Sequence, residues 1–259
     1  MTLRPALLLS ALLALTACSQ QAETPAAPAA EAAPAATAAT PATPAPASAP
    51  AVEAAAEIAP AATPDVPVGP APVAGIDYAE IAGGQPFEPA AGRIEVAEVF
   101  SYTCPHCAQF EPLVLDWRRR QPADVKFIAV AGPFAANPEP FAKAYYAAES
   151  LGLVGKSHDA MFRALHVDQS FDYRDASPEK FGAFYAQFGV TPEQFAAAMK
   201  SFAVDAKVKR ATQFIAKSGI EGTPSIVVAG KYRVTGKTLE DTLRITTQLV
   251  AKERAAQGG

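Results

Sequence analysis

Cys104-Pro105-His106-Cys107 sets two thiols three positions apart. A strand-like apolar run, Ile94 to Phe100, precedes them, and a helix-like run, Gln109 to Arg120, follows. Two cysteines at this spacing where a helix opens put both sulfurs on one end of it, within reach of a disulfide. Cys104 then falls at the N-terminus, where unpaired N–H groups and the helix dipole favour an anion. Pro105 suits the first turn, because the N–H it lacks would have no partner there. The thiolate is the attacking species in thiol–disulfide exchange, so the position suits redox chemistry. Other uses of the spacing fit less well. A structural zinc site takes four ligands, and the remaining cysteine, Cys18, lies far away in a leader. Covalent haem attachment takes a histidine after the second cysteine, where this chain has Ala108. An inert staple gains little from so short a loop.

His106 has two readings. A ring N–H or imidazolium close to the Cys104 sulfur favours the thiolate; alternatively His106 is a surface residue without influence on either sulfur. Magnitudes show what must be supplied. A Cys104 pKa about three units below neutrality would favour the thiolate by about 4 kcal/mol, or about 90 mV in a two-electron couple. A helix dipole contributes at most about 2 kcal/mol, so N–H donors and His106 are expected to add the rest.

The elements that position this motif follow from periodicity. From Arg93 to Phe100 the pattern alternates, with Ile94, Val96, Glu98 and Phe100 on one face. Glu98 thus lies in line with apolar residues. It is either a carboxylate at a sheet margin reaching water, or a buried acid that tunes or shuttles a proton for the dithiol. Phe110, Leu113, Val114 and Trp117 mark the buried stripe of the following helix, and Arg118 to Arg120 complement its C-terminal end. Asp124 to Ala131 reads as the next strand, giving a parallel β–α–β unit. Helical patterns then follow alone. His158 falls on an apolar stripe as a core histidine, and His166 has no ligand-spaced partner. Ser177-Pro178 and Thr191-Pro192-Glu193-Gln194 open further helices, the second carrying Phe195, Met199 and Phe202. Gly219 closes a helix running through Val204 to Ile215. Strands return at Pro224 to Val228 and Tyr232 to Val234 as a hairpin, and Thr238 with Asp241 caps a last helix. Ile76 to Ile81 reads as a short edge strand.

The chain has 259 residues and a net charge of −4, so its charge gives no argument for nucleic acid. Three cysteines cannot form a disulfide scaffold. At the start, Arg4 precedes a short apolar run, Ala6 to Leu15, as in a secretory signal. Leu15-Thr16-Ala17-Cys18 resembles a bacterial lipobox, which implies a leader over 1–18 and acyl chains on Cys18. Ser19 after the cysteine resembles lipoproteins of the outer rather than the inner membrane. Residues 19–75 are mostly Ala, Pro, Thr and Glu, too poor in apolar surface to offset the entropy of ordering. They read as a disordered tether, averaging about 40 Å as a flexible coil and at most about 150 Å when extended.

Residues 76–259 resemble the thioredoxin superfamily, and within it the DsbA dithiol oxidases. The match rests on Phe100-Ser101-Tyr102-Thr103-Cys104-Pro105-His106-Cys107, on Gln109-Phe110-Glu111, and on Gly222-Thr223-Pro224. The resemblance implies an α/β thioredoxin-like fold with a helical domain inserted at about 138–218. It implies that Pro224 is cis and faces the dithiol, with Thr223 and Pro224 pairing with extended substrate. It also implies that Glu98 is the family's buried glutamate. A lysine that partners this acid in some members has no counterpart, since Ala129 stands there. The implied activity is oxidation of reduced, exported proteins in the periplasm by a Cys104–Cys107 disulfide. That activity uses no bound cofactor, and a membrane oxidase of the DsbB kind reoxidises the pair. A disulfide isomerase or reductase, and a tethered peptide-binding chaperone, are the alternatives. For the leader, globomycin is expected to make the precursor accumulate and Cys18→Ala to abolish acyl labelling. A soluble product indifferent to both would refute lipidation.

Overall fold

The computed structural model describes residues 68–134 and 137–258. The expected leader, Cys18 and most of the tether lie outside the described residues.

Five strands form one mixed sheet in the order β1-β5-β4-β2-β3. They are β1 (Tyr78–Glu80), β2 (Ile94–Phe100), β3 (Val125–Ala131), β4 (Ser225–Val228) and β5 (Tyr232–Val234). β2 and β3 are parallel, because helix α1 (Pro105–Arg119) carries the chain back between them. The other pairings are antiparallel. Between β3 and β4 run α2 (Pro138–Ser150), α3 (Val154–His166), α4 (Pro178–Tyr185), α5 (Pro192–Met199) and α6 (Phe202–Lys217). The last helix, α7 (Leu239–Gln257), returns to the sheet.

β2 is buried along its whole length, as a strand covered on both faces must be. Ile94 and Val96 join Val114, Trp117, Ile245 and Leu249 in the core beneath α1 and α7. Ala97 and Val99 join the core shared with the inserted helices. Phe100 departs from the expected alternation. At the strand's end it enters this second core, its ring edge-on to Tyr102 at 5.1 Å and to Tyr145 at 5.1 Å. Glu95 is buried with partners, its carboxylate accepting from the Phe87 and Glu88 N–H groups at 2.6 and 2.9 Å.

Helix starts follow the local chemistry. Ser177 and Thr191 accept from Lys180 N–H and Gln194 N–H, and Gln194 completes a capping box. Phe202 is a correction to the apolar stripe assigned to the fourth expected helix. α5 ends at Met199, Ser201 caps a new helix through Val204 N–H, and the break turns Phe202 outward to 88% exposure. Gly230 closes the β4–β5 turn at φ +68, and a Cβ there would meet the Gln85 carbonyl carbon at 2.1 Å. Gly230→Ala is therefore expected to cost about 1–3 kcal/mol, read as a fall in Tm.

Candidate active site

The end of β2, the start of α1 and the approach to β4 converge on the two thiols. Cys104 is the N-cap of α1 in extended conformation, φ −90 and ψ 117, with Pro105 in the first turn. Its N–H donates to Ser101 O at 3.1 Å, so Ser101 to Cys104 form a turn off the strand end. Cys107, one helical turn on, is fully buried, whereas Cys104 retains 7% exposure. Val99 pairs with Ser225 across the β2–β4 ladder. The two residues before Ser225 therefore overhang the strand end from which Cys104 emerges. The Thr223 carbonyl oxygen lies 3.3 Å from Cys104 Sγ, and the Thr223–Pro224 peptide is cis.

This arrangement divides the two sulfurs. The Cys104 pKa is lowered to about 5, first by the Cys107 thiol, then by the Thr223 hydroxyl and the Cys107 and His106 N–H groups, against its burial. The Cys107 thiol is pushed far up, chiefly because its proton is held by Cys104 and because it is buried. Cys104 is thus the sulfur that ionises. A pKa about two units below neutrality favours its thiolate by about 2.7 kcal/mol, or about 60 mV in a two-electron couple, less than the expectation above. His106 is exposed and acts on this sulfur through its backbone N–H.

Glu98 is 2% exposed. Burial first, and the Glu111 carboxylate second, hold its carboxyl well above the usual range, with Arg118 opposing. Its ladder neighbours are Ala129 on β3 and Ile226 on β4. Glu111, also buried, faces His158, with Nε2 and Oε2 3.4 Å apart. A cavity of about 540 Å³ opens beside this group, lined by Glu111, Arg118, Ala129, Tyr145 and His158 among others. His158 packs among Phe100, Tyr102, Tyr145 and Phe162, as a core histidine does, and its Nδ1 also meets the Tyr102 hydroxyl at 2.8 Å. His166, given no role from sequence, lies with Nε2 2.7 Å from the Tyr102 carbonyl oxygen. Neither contact has a local sequence signal, because the partners are 56 and 64 residues apart. Among the described residues no cluster of His, Cys, Asp and Glu is placed to hold a metal ion.

Known proteins resemble this chain in sequence and fold. A family model described as Thioredoxin matches residues 89–246. The thiol:disulfide interchange protein DsbA of Pseudomonas aeruginosa is 34% identical over 186 residues, covering 71% of this chain and 86% of the relative. The DsbA of Azotobacter vinelandii is 36% identical over 169 residues, covering 64% and 78%. The crystal structure of oxidoreductase DsbA from Xylella fastidiosa superposes with a TM-score of 0.70 at 47% identity, covering 71% of this chain and 98% of that one. Fold, site geometry and relatives agree: the chain belongs to the DsbA family of thiol:disulfide oxidoreductases, built on the thioredoxin fold.

Proposed function

We propose that the chain is a periplasmic dithiol oxidase that passes a Cys104–Cys107 disulfide to reduced, exported proteins. The observation that carries this reading is the asymmetry of the pair, an ionising Cys104 at the helix end beside a buried Cys107 that keeps its proton. A substrate thiolate attacks Cys104 Sγ of the disulfide. A mixed disulfide forms, and Cys107 leaves and takes up a proton. A second substrate thiolate then attacks the substrate sulfur, and Cys104 leaves as a thiolate. The substrate gains a disulfide and gives up two electrons, which the enzyme holds as one thiol and one thiolate. A low Cys104 pKa favours this direction because it makes Cys104 the better leaving group.

Pro105 opens the first turn of α1, and His106 contributes its N–H to the sulfur. Thr223 and Pro224 offer backbone to an extended substrate segment beside the dithiol. Glu98 serves as a proton store under the site. Cys18 is acylated and becomes the first residue once the leader before it is removed, and 19–75 tether the domain of 76–259, with its insertion at about 138–218, to a membrane, the outer one. No bound cofactor takes part, and a DsbB-like membrane oxidase withdraws the electrons. Refolding assays test the direction of transfer. Rapid oxidation of a reduced substrate with weak insulin reduction is expected, and the reverse would indicate a reductase.

Two pH dependences follow. The Cys104 pKa is depressed in the folded protein, so the thiolate stabilises the reduced form fully above the unfolded cysteine value of about 8.5. That stabilisation disappears as pH falls through about 5. Reduction below pH 5 takes up two protons and above it one. Plotted against pH, the potential is expected to change slope near pH 5, from about −59 to about −30 mV per unit. Glutathione equilibria measure it, and a single slope from pH 4 to 8 would contradict the pKa. Glu98 has the opposite sign. A carboxyl whose pKa is raised on folding destabilises the native state once pH exceeds its unfolded value of about 4.3. Glu98→Leu is expected to raise Tm at pH 7–8, with the gain shrinking toward pH 4.

A further inference from the structure

α3 carries two of the chain's three histidines, and both meet one residue. His158 Nδ1 lies 2.8 Å from the Tyr102 hydroxyl, and His166 Nε2 lies 2.7 Å from the Tyr102 carbonyl oxygen. A carbonyl only accepts, so His166 donates from Nε2. Eight residues of helix rise about 12 Å, enough to set one imidazole at each end of a tyrosine. Phe162 fills the space between, its ring centroid 5.0 Å from Tyr102, 5.2 Å from His158 and 6.3 Å from His166.

Tyr102 is placed to transmit this grip. The Cys104 N–H to Ser101 O bond makes Tyr102 and Thr103 the central residues of a turn that ends on Cys104. The peptide between the two central residues is the part of such a turn that can rotate, and its rotation changes the turn type. Its carbonyl is the one His166 holds. The Tyr102 side chain, 1% exposed, is fixed at the far end by His158, which Glu111 backs at 3.4 Å. The donors that reach the Cys104 sulfur are the Cys107 thiol, the His106 and Cys107 N–H groups and the Thr223 side chain. They come from α1 and from the β4 approach, so their aim depends on where this turn sets Cys104.

We propose that His158 and His166 are positioning residues for disulfide exchange: by holding Tyr102 at both ends, α3 fixes the turn that sets the Cys104 sulfur against the α1 N-terminus and Thr223. The inference rests on Cys104 being the sulfur that ionises and forms the mixed disulfide. It makes the inserted helices part of the reactive geometry, although none of them supplies a group to either sulfur.

The test is thiolate absorbance against pH on the reduced full chain, with the rate at which each oxidised variant accepts a thiol peptide. His166→Leu is expected to raise the midpoint by up to about one unit, the worth of one hydrogen bond, and to slow the exchange. His166→Gln, whose amide still donates, is expected to recover most of the shift. Tyr102→Phe keeps the ring and loses only the hydroxyl contact, so it remains informative if His166→Leu folds poorly; a smaller rise is expected. A purely structural role would lower Tm in these variants with the midpoint unmoved. Wild-type midpoints and rates in both His166→Leu and Tyr102→Phe would overturn the proposal. Cys104→Ser separates this from the underlying reading: the low-pH transition disappears if Cys104 carries it, and its survival would refute the assignment of the sulfur itself.

Discussion

A single proton between two sulfurs governs this site. Cys104 ionises because the Cys107 thiol donates to it, and Cys107 resists ionisation because that proton is engaged and its own sulfur is buried. An isolated thiolate with so little exposure would be costly, since burial disfavours the charged form. Placing the second thiol one helical turn deeper turns that cost into a hydrogen bond. The helix N-terminus adds the His106 and Cys107 N–H groups, so the anion is held by hydrogen-bond donors and the helix dipole.

The rest of the sheet serves this contact. β2 must be buried on both faces to fix the point at which Cys104 leaves it, and α1 and the inserted helices supply the two covers. The β2–β4 register then decides which residues overhang that point. Because Val99 faces Ser225, Thr223 reaches the sulfur, and a slip by one residue would turn every side chain of β4 to the other face. The inserted helices, remote in sequence, come back to the same turn through Tyr102.

What was readable in the sequence was local. The strand before the motif, the helix it opens, the capping box at Thr191 and the hairpin at β4–β5 are short-range patterns, and each sits where periodicity and capping chemistry put it. Phe202 misled because a helical stripe can run on unbroken through a cap, and Ser201 started a new helix in the middle of it. The histidines of α3 were unreadable for a different reason. His158 had an apolar stripe and His166 had no ligand-spaced partner, and only tertiary structure brings both to a tyrosine near the motif. The degree of burial at Glu98 was equally undecidable, because alternation gives a face and says nothing of what covers it.

Covering Glu98 without a buried cation has a consequence for how the site manages protons. With Ala129 opposite it and Glu111 as its acidic neighbour, two carboxylates share a space where both cannot be charged cheaply. Arg118 opposes this from an exposed position, where solvent screens its charge. Glu98 therefore keeps its proton to higher pH than a surface acid does. The cavity beside Glu111 and His158 is lined by Glu111 and not by Glu98. The Cys104 pKa, by contrast, is set chiefly by Cys107, Thr223 and backbone N–H groups. Thiol acidity and the carboxyl pair can thus vary separately, and an acid–lysine pair is not required for a low Cys104 pKa in this chain.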